Sequence, residues 1–280
     1  MTPYFKLSGS GNDFIALVEP DADPTSAQIR AWCRRGISVG ADGLFVLRST
    51  LEGASMEHFN ADGEPAGLCL NGARCAAQLA FELGWAEKDL TIETPAGVVS
   101  AHRESLTSIA LEFSREVLAP SKLELETNGR KTEGWVVGVG VPHFVVPHSA
   151  PIDLAPVQEM GAALRQHEAF GELGTNVDFV RYCGPSTMEV RTFERGVEAE
   201  TLACGTGVIA AAAVALSLDT ATLPITSLTK GGFHLIVDRI SASKSEETWY
   251  LLGDARLLSA GSLMAAAELA PERPDWSKAT

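Results

Sequence analysis

The sequence predicts an α/β chain built from two related halves, each presenting a cysteine at the start of a buried helix. Three observations carry this reading. The segment Thr201-Leu202-Ala203-Cys204-Gly205-Thr206-Gly207 runs directly into an apolar stretch, Val208 to Leu218, rich in helix formers. Upstream, Phe59-Asn60-Ala61-Asp62-Gly63 leads to Cys69-Leu70-Asn71-Gly72-Ala73-Arg74-Cys75-Ala76-Ala77, with the same plan of strand end, polar loop, cysteine, glycine and alanine-rich helix. The spacing from Cys69 to Gly97 equals that from Cys204 to Gly232, and each glycine opens a strand-like run. The first N–H groups of a helix lack intrahelical partners, and the helix dipole favours negative charge there. Each position is therefore expected to hold an anion and to lower the thiol pKa. One such cysteine reads equally well as a packing residue; two copies point to one site between the halves, where pockets form.

Taken in order, Phe5 to Leu7 reads as a strand entering Ser8-Gly9-Ser10-Gly11-Asn12-Asp13-Phe14, and Ile15 to Val18 as its return. That loop fits no phosphate-binding pattern because no helix follows it; it is a hairpin turn with Asn12 at its tip. Thr25 to Arg35 is a hydroxyl-capped helix ended by Gly36. Asp42-Gly43 is a turn before the strand Leu44 to Leu47, and Glu57 to Asn60 is the next strand. The helix from Gly72 puts Ala76, Leu79, Ala80 and Leu83 on one face and stops at Gly84. Short strands follow at Leu90 to Glu93, Val98 to His102 and Ser108 to Phe113. Val117 to Ser121 loses periodicity and marks a crossing between halves, 1–117 and 118–253. Trp135 to Val141 reads as one strand running into Pro142-His143-Phe144-Val145-Val146, Ile152 to His167 as a helix, and Thr175 to Val180 and Thr187 to Phe193 as strands. After the second cysteine helix, Phe233 to Ile240 and Thr248 to Leu252 pair late, and the segment from Gly253 returns toward the first half. The tail from Pro271 is polar and loosely ordered.

Composition narrows the function classes. A length of 280 residues and 45% hydrophobic content support two ordinary domains with ample cores. A net charge of −14 argues against nucleic acid and against an anionic membrane surface. No apolar run is long enough for a membrane span, and the N-terminus lacks a signal-peptide pattern. Five cysteines without a Cys-x-x-Cys pair fit reduced thiols in a cytoplasmic protein, and neither they nor the six histidines show zinc-ligand spacing.

Six motifs in fixed order, Gly40-Ala41-Asp42-Gly43-Leu44, Asn60-Ala61-Asp62-Gly63, Asn71-Gly72-Ala73-Arg74-Cys75, Pro142-His143, Glu194-Arg195-Gly196 and Ala203-Cys204-Gly205-Thr206-Gly207, resemble the diaminopimelate epimerase family. The likeness runs from Gly11-Asn12-Asp13-Phe14 to about Leu258. It implies two pseudo-symmetric α+β domains, each a mostly antiparallel sheet around a central helix, with the active site in the cleft between them. The first carries Cys69, with the segment 254–280 returning to it, and the second carries Cys204. The implied activity is interconversion of LL- and meso-2,6-diaminopimelate in lysine and peptidoglycan precursor synthesis. It needs no cofactor, neither pyridoxal phosphate nor metal, and the enzyme is a homodimer.

Such chemistry matches two thiols. Inverting an α-carbon needs a base on one face and an acid on the other, and the resemblance gives those roles to Cys69 and Cys204. Leu70, Asn71, Gly205 and Thr206 would offer helix N-terminal donors to the reacting carboxylate. By resemblance Arg195 meets the distal carboxylate with Asn60 and Asn176, Glu194 takes an ammonium and with His143 tunes the thiol pKa values, and Asn12 lines the site. Read singly, Glu194-Arg195 is also a surface ion pair, His143 a turn residue and Asn176 a cap. Cys33, Cys75 and Cys183 lack a matching context and read as packing or incidental thiols.

Three positions depart from the family pattern. Leu70 stands where glycine is usual, Val141 where asparagine is usual, and the loop from Glu194 to Thr201 is one residue longer. They leave open a racemase of the same fold acting on another amino acid, of the histidine or proline type. A non-catalytic ligand-binding relative is the remaining alternative, disfavoured because binding alone needs neither thiol.

Overall fold

Each half folds as the same succession of strands around one buried helix. The computed structural model describes residues 1–67, 69–114, 117–127, 129–243 and 246–269; the expected loose tail lies outside them. The first half comprises β1 (Thr2–Gly9), β2 (Asn12–Val18), α1 (Ser26–Trp32), β3 (Gly43–Thr50), β4 (Gly53–Asn60), α2 (Leu70–Glu82), β5 (Asp89–Thr94), β6 (Gly97–Ser105) and β7 (Ser108–Ser114). The second comprises β8 (Ser121–Thr127), β9 (Arg130–Gly138), β10 (Pro142–Pro147), α3 (Val157–Arg165), β11 (Asn176–Gly184), β12 (Thr187–Glu194), β13 (Ala199–Thr201), α4 (Gly205–Ser217), β14 (Ile225–Thr229), β15 (His234–Ser243) and β16 (Glu246–Asp254). Strand β17 (Arg256–Leu263) follows.

The two halves repeat one pairing scheme. In the first, β1–β2 is antiparallel, β2–β3 parallel, β3–β4 antiparallel, β4–β5 parallel, and β5–β6 and β6–β7 antiparallel. In the second, β9–β10, β10–β11, β11–β12, β12–β14, β14–β15 and β15–β16 follow the same order of senses. The outer partner of β9 is its sequence neighbour β8, whereas the outer partner of β1 is β17, from the far end of the chain. The halves join where β7 pairs antiparallel with β16. The parallel steps are where helices cross over, as parallel strands require.

Both central helices are apolar because they are enclosed. Leu70 to Phe81 on α2 is buried at every position, and on α4 burial runs from Gly207 to Ala215. Small alanines let the surrounding strands approach, and one apolar core includes Ala73, Ala77, Ala80, Val208, Ala211 and Val214. Helix α1 is held by a capping box at Thr25 and buries Ile29 and Trp32 against a separate cluster with Ile15, Leu17 and Leu44.

Three sequence expectations are corrected. The single strand Trp135 to Val146 is a hairpin: the backbone reverses over residues 139–141, and β9 then pairs with β10, so Val145 faces Trp135. Ile152 to His167 is not one helix; a 3₁₀ turn at Ile152–Leu154 is separated from α3 by Ala155 and Pro156, in line with the bias of a residue before proline away from helix. Strands β8 and β14, absent from the sequence reading, pair with β9 and with β12 and β15.

Candidate functional site

Cys69 and Cys204 are the N-caps of α2 and α4, each in extended backbone geometry. The Cys69 Sγ accepts the Gly72 N–H at 3.4 Å. The two helix starts meet. A Cβ placed on Gly205 would lie 3.1 Å from Leu70 Cβ, so glycine is what allows Leu70 to pack there. Asn71 Nδ2 donates across the halves to the Ala203 carbonyl at 2.9 Å, and its Oδ1 accepts from the fully buried Arg74 at 2.6 Å.

Behind Cys204 lies a chain of polar groups. Thr206 Oγ1 is 3.4 Å from Cys204 Sγ and 3.0 Å from His143 Nε2. His143 Nδ1 is 2.7 Å from Asp178 Oδ2, with both side chains fully buried. Thr192 Oγ1 donates to Asp178 Oδ1 at 2.7 Å. Strand β10 delivers His143, and β11 beside it delivers Asn176 and Asp178, two residues apart and therefore on one face. Asn176 accepts the Arg195 N–H at 2.8 Å and approaches His143 Nε2 at 3.4 Å, so its amide is engaged within the protein. Glu194 accepts from Thr201 Oγ1 at 2.5 Å.

A cavity of about 830 Å³ opens between the halves, lined by Asn12, Asp42 and Asn60 on one side and Glu200, Thr201 and Leu202 on the other. Asn12 Nδ2 donates to Asp42 at 2.7 Å, and Arg35 bridges Asp42 and Asp13. Burial alone would raise Asp13, but hydrogen bonds from Arg35 and Lys6 hold it down to about 2. Asn60 ends β4 as an exposed residue.

The thiols do not follow the helix-dipole expectation. Burial pushes Cys69 up to about 11, opposed by the Gly72 N–H. Burial, with Glu194 and Asp178 nearby, pushes Cys204 well above the ordinary thiol range, opposed by Thr206. Burial likewise raises Glu194. For thiols buried this deeply, desolvation outweighs the first turn's dipole.

The departures from the family pattern are absorbed. Leu70 is buried against Gly205 and takes no space from the cavity lining. Val141 lies in the β9–β10 turn and lines an apolar surface groove with Leu118 and Val136. The longer loop is a hairpin in which β13 pairs with β12, bringing Ala199 opposite Glu194. Sequence reasoning missed Asp178, Thr192 and Arg74. The alternation of Asn176 and Asp178 along one strand was the available signal for the first.

The sequence model of the diaminopimelate epimerase family matches residues 4–109 and 135–258. The diaminopimelate epimerase of Aquifex aeolicus (strain VF5) is 37% identical, covering 84% of this chain and 89% of that protein. That of Archaeoglobus fulgidus is 36% identical, covering 93% and 95%. Among solved structures, a probable proline racemase from Agrobacterium radiobacter K84 superposes with TM-score 0.70 at 14% identity, covering 96% of each chain. A hydroxyproline epimerase from Agrobacterium vitis gives 0.68 at 14%, covering 93% of this chain and 91% of that one. At such identity the likeness is one of fold.

Proposed function

The chain belongs to the diaminopimelate epimerase family, an isomerase family, and from that premise we propose that it interconverts LL- and meso-2,6-diaminopimelate by proton transfer between two thiols. The observation that carries the reading is the meeting of two cysteine-capped helix starts, with Leu70 against Gly205 and Asn71 bonded to Ala203.

One sulfur, as thiolate, removes the α-proton from one face of the carbon, and the other, as thiol, delivers a proton to the opposite face. The reverse direction exchanges the roles. The carbanion's charge spreads into the α-carboxylate, which the N–H groups of Leu70, Asn71, Gly205 and Thr206 are placed to receive at two converging helix N-termini. Closing the substrate into the cleft strengthens those dipoles. Arg195 takes the distal carboxylate and Glu194 an ammonium, with Asn12 and Asn60 lining the approach and Asn176 holding the Arg195 backbone. His143 and Glu194 set the thiol pKa values.

The same reading divides the chain into 1–117, joined by 254–280, and 118–253. It places the enzyme in the cytoplasm, in lysine and peptidoglycan precursor synthesis, as a homodimer. Supporting the last point, β17 at the outer end of the first half is exposed at every residue from Arg256 to Ser262.

The test is incubation with LL-diaminopimelate and a panel of amino acids, including proline and histidine, in deuterated water. Deuterium at one α-carbon of diaminopimelate, lost in Cys69→Ser and Cys204→Ser, is the expected result. Exchange on another amino acid alone would reassign the substrate, and activity surviving both substitutions would end the two-thiol mechanism.

A further inference from the structure

The two thiols stand on unequal ground, and strand register shows where the difference lies. Leu44 faces Phe59 in the first half as Val177 faces Phe193 in the second. Following the pairing outward, Phe14 corresponds to His143, Phe45 to Asp178, and His58 to Thr192. Behind Cys69 this place is thus taken by two packed rings, Phe14 and Phe45, with centroids 6.1 Å apart. Behind Cys204 it is taken by His143 and Asp178, buried and 2.7 Å apart. At the second residue after each cysteine, Asn71 is spent on Ala203, whereas Thr206 stands between Cys204 and His143.

We propose that Thr206, His143 and Asp178 form a one-sided proton relay that serves Cys204 and not Cys69, with Asp178 as its positioning residue. The argument rests on the proposed two-thiol reading of the site and adds to it. Every donor in the chain has one consistent direction. The Asp178 carboxylate is acceptor-only; it takes the Thr192 hydroxyl on Oδ1 and the His143 Nδ1–H on Oδ2. This fixes the tautomer, leaving Nε2 as the acceptor toward which the Thr206 hydroxyl and the Asn176 amide converge. Thr206 Oγ1, donating to Nε2, keeps a lone pair for the Cys204 S–H. In the transfer the Cys204 S–H bond breaks, its proton bonds to Thr206 Oγ1, and the original Thr206 proton passes to His143 Nε2. The electron pair stays on sulfur; the products are a thiolate and an imidazolium balanced by Asp178. The reverse transfer returns Cys204 to the thiol.

Gly207 supports the same assignment. A Cβ there would lie 2.2 Å from Asp178 Oδ1, so the glycine admits the carboxylate to the first turn of α4, where an anion is favoured. The titratable groups around His143 are Asp178 on β11, Glu194 on β12 and Cys204 on α4; the neighbouring β9 residues, Val136 and Val137, are apolar.

The test is iodoacetamide alkylation of the full-length enzyme without substrate, with each cysteine followed separately by peptide mass spectrometry across pH. It reads the relay whatever amino acid proves to be the substrate. Thr206→Val should move the Cys204 profile upward by about one unit, slowing its reaction about tenfold near neutral pH; in an Asp178→Asn background, where His143 has lost its partner and the charge that raises the thiol is also gone, the added Thr206→Val should no longer move it. The Cys69 profile should stay in place, and Thr206→Ser should restore that of Cys204. If Asp178→Asn fails to fold, the Thr206→Val and Thr206→Ser pair decides. A Cys204 profile unmoved by Thr206→Val, or both cysteine profiles shifting together, overturns the proposal.

Discussion

Arg195 has a half-buried side chain that makes no hydrogen bond or ion pair among the described residues, while its backbone is tied to Asn176. A partly desolvated guanidinium without a carboxylate is costly, and a ligand carboxylate would complete it. Arg195→Met is therefore expected to raise KM for diaminopimelate by about tenfold or more, the loss of a charge-assisted hydrogen bond of about 1.5–3 kcal/mol. Steady-state kinetics in both directions measure it. Gly205 poses a packing question at the same scale. An added methyl would press on Leu70 and on Leu251, 3.0 Å away. Gly205→Ala should cost about 1–3 kcal/mol in urea unfolding, and Leu70→Ala in the same chain should recover part of it. Simple additivity of the two losses would show that they do not share the contact.

Among the elements, α1 isolates a local contribution. Thr25 accepts the Gln28 N–H at 3.3 Å, and Gln28 Oε1 accepts the Thr25 N–H at 2.9 Å. Thr25→Ala removes the cap on the far side of β2 and β3 from the core that holds α2. It should lower stability by about 1 kcal/mol, read by denaturant titration, with kcat and KM unchanged. This helix start was legible in the sequence because a cap is a contact between residues three apart. The β9–β10 hairpin was not. Valines and aromatics stand on both sides of the reversal, so hydropathy does not change there, and Gly140 and Pro142 were its only marks. Strand β14 is short and relies for its pairing on β12, across α4 in sequence, as well as on its neighbour β15.

For the whole molecule, burial of neutral thiols sets an alkaline limit. Cys33 is pushed up to about 12 and Cys69 to about 11, and Cys75 also rises, in each case chiefly by desolvation. These thiols stay protonated in the folded chain while those of the unfolded chain ionise above about 8.5. The unfolded state then binds fewer protons, so stability falls as pH rises from about 9 toward 11. Denaturant unfolding under reducing conditions across that range should show the decline, and Cys33→Ala with Cys75→Ala should flatten it. A slope identical in the double variant would assign the alkaline loss to other groups. At the acid end Asp13, held at about 2, contributes stability that is fully present above its ordinary value of 3.8 and disappears as pH falls through 2.

The sequence by itself determined the duplication, the two cysteine-capped helices and the family. All of these rest on local spacing or on short motifs, which a linear chain displays directly. Only the tertiary structure decided what stands behind each thiol. Asp178 reaches His143 through the parallel pairing of β10 with β11, and Leu70 finds its space through a glycine in the other half. The sense of the thiol pKa shifts was also decided there, because desolvation depends on everything that encloses a group and not on the helix that begins at it.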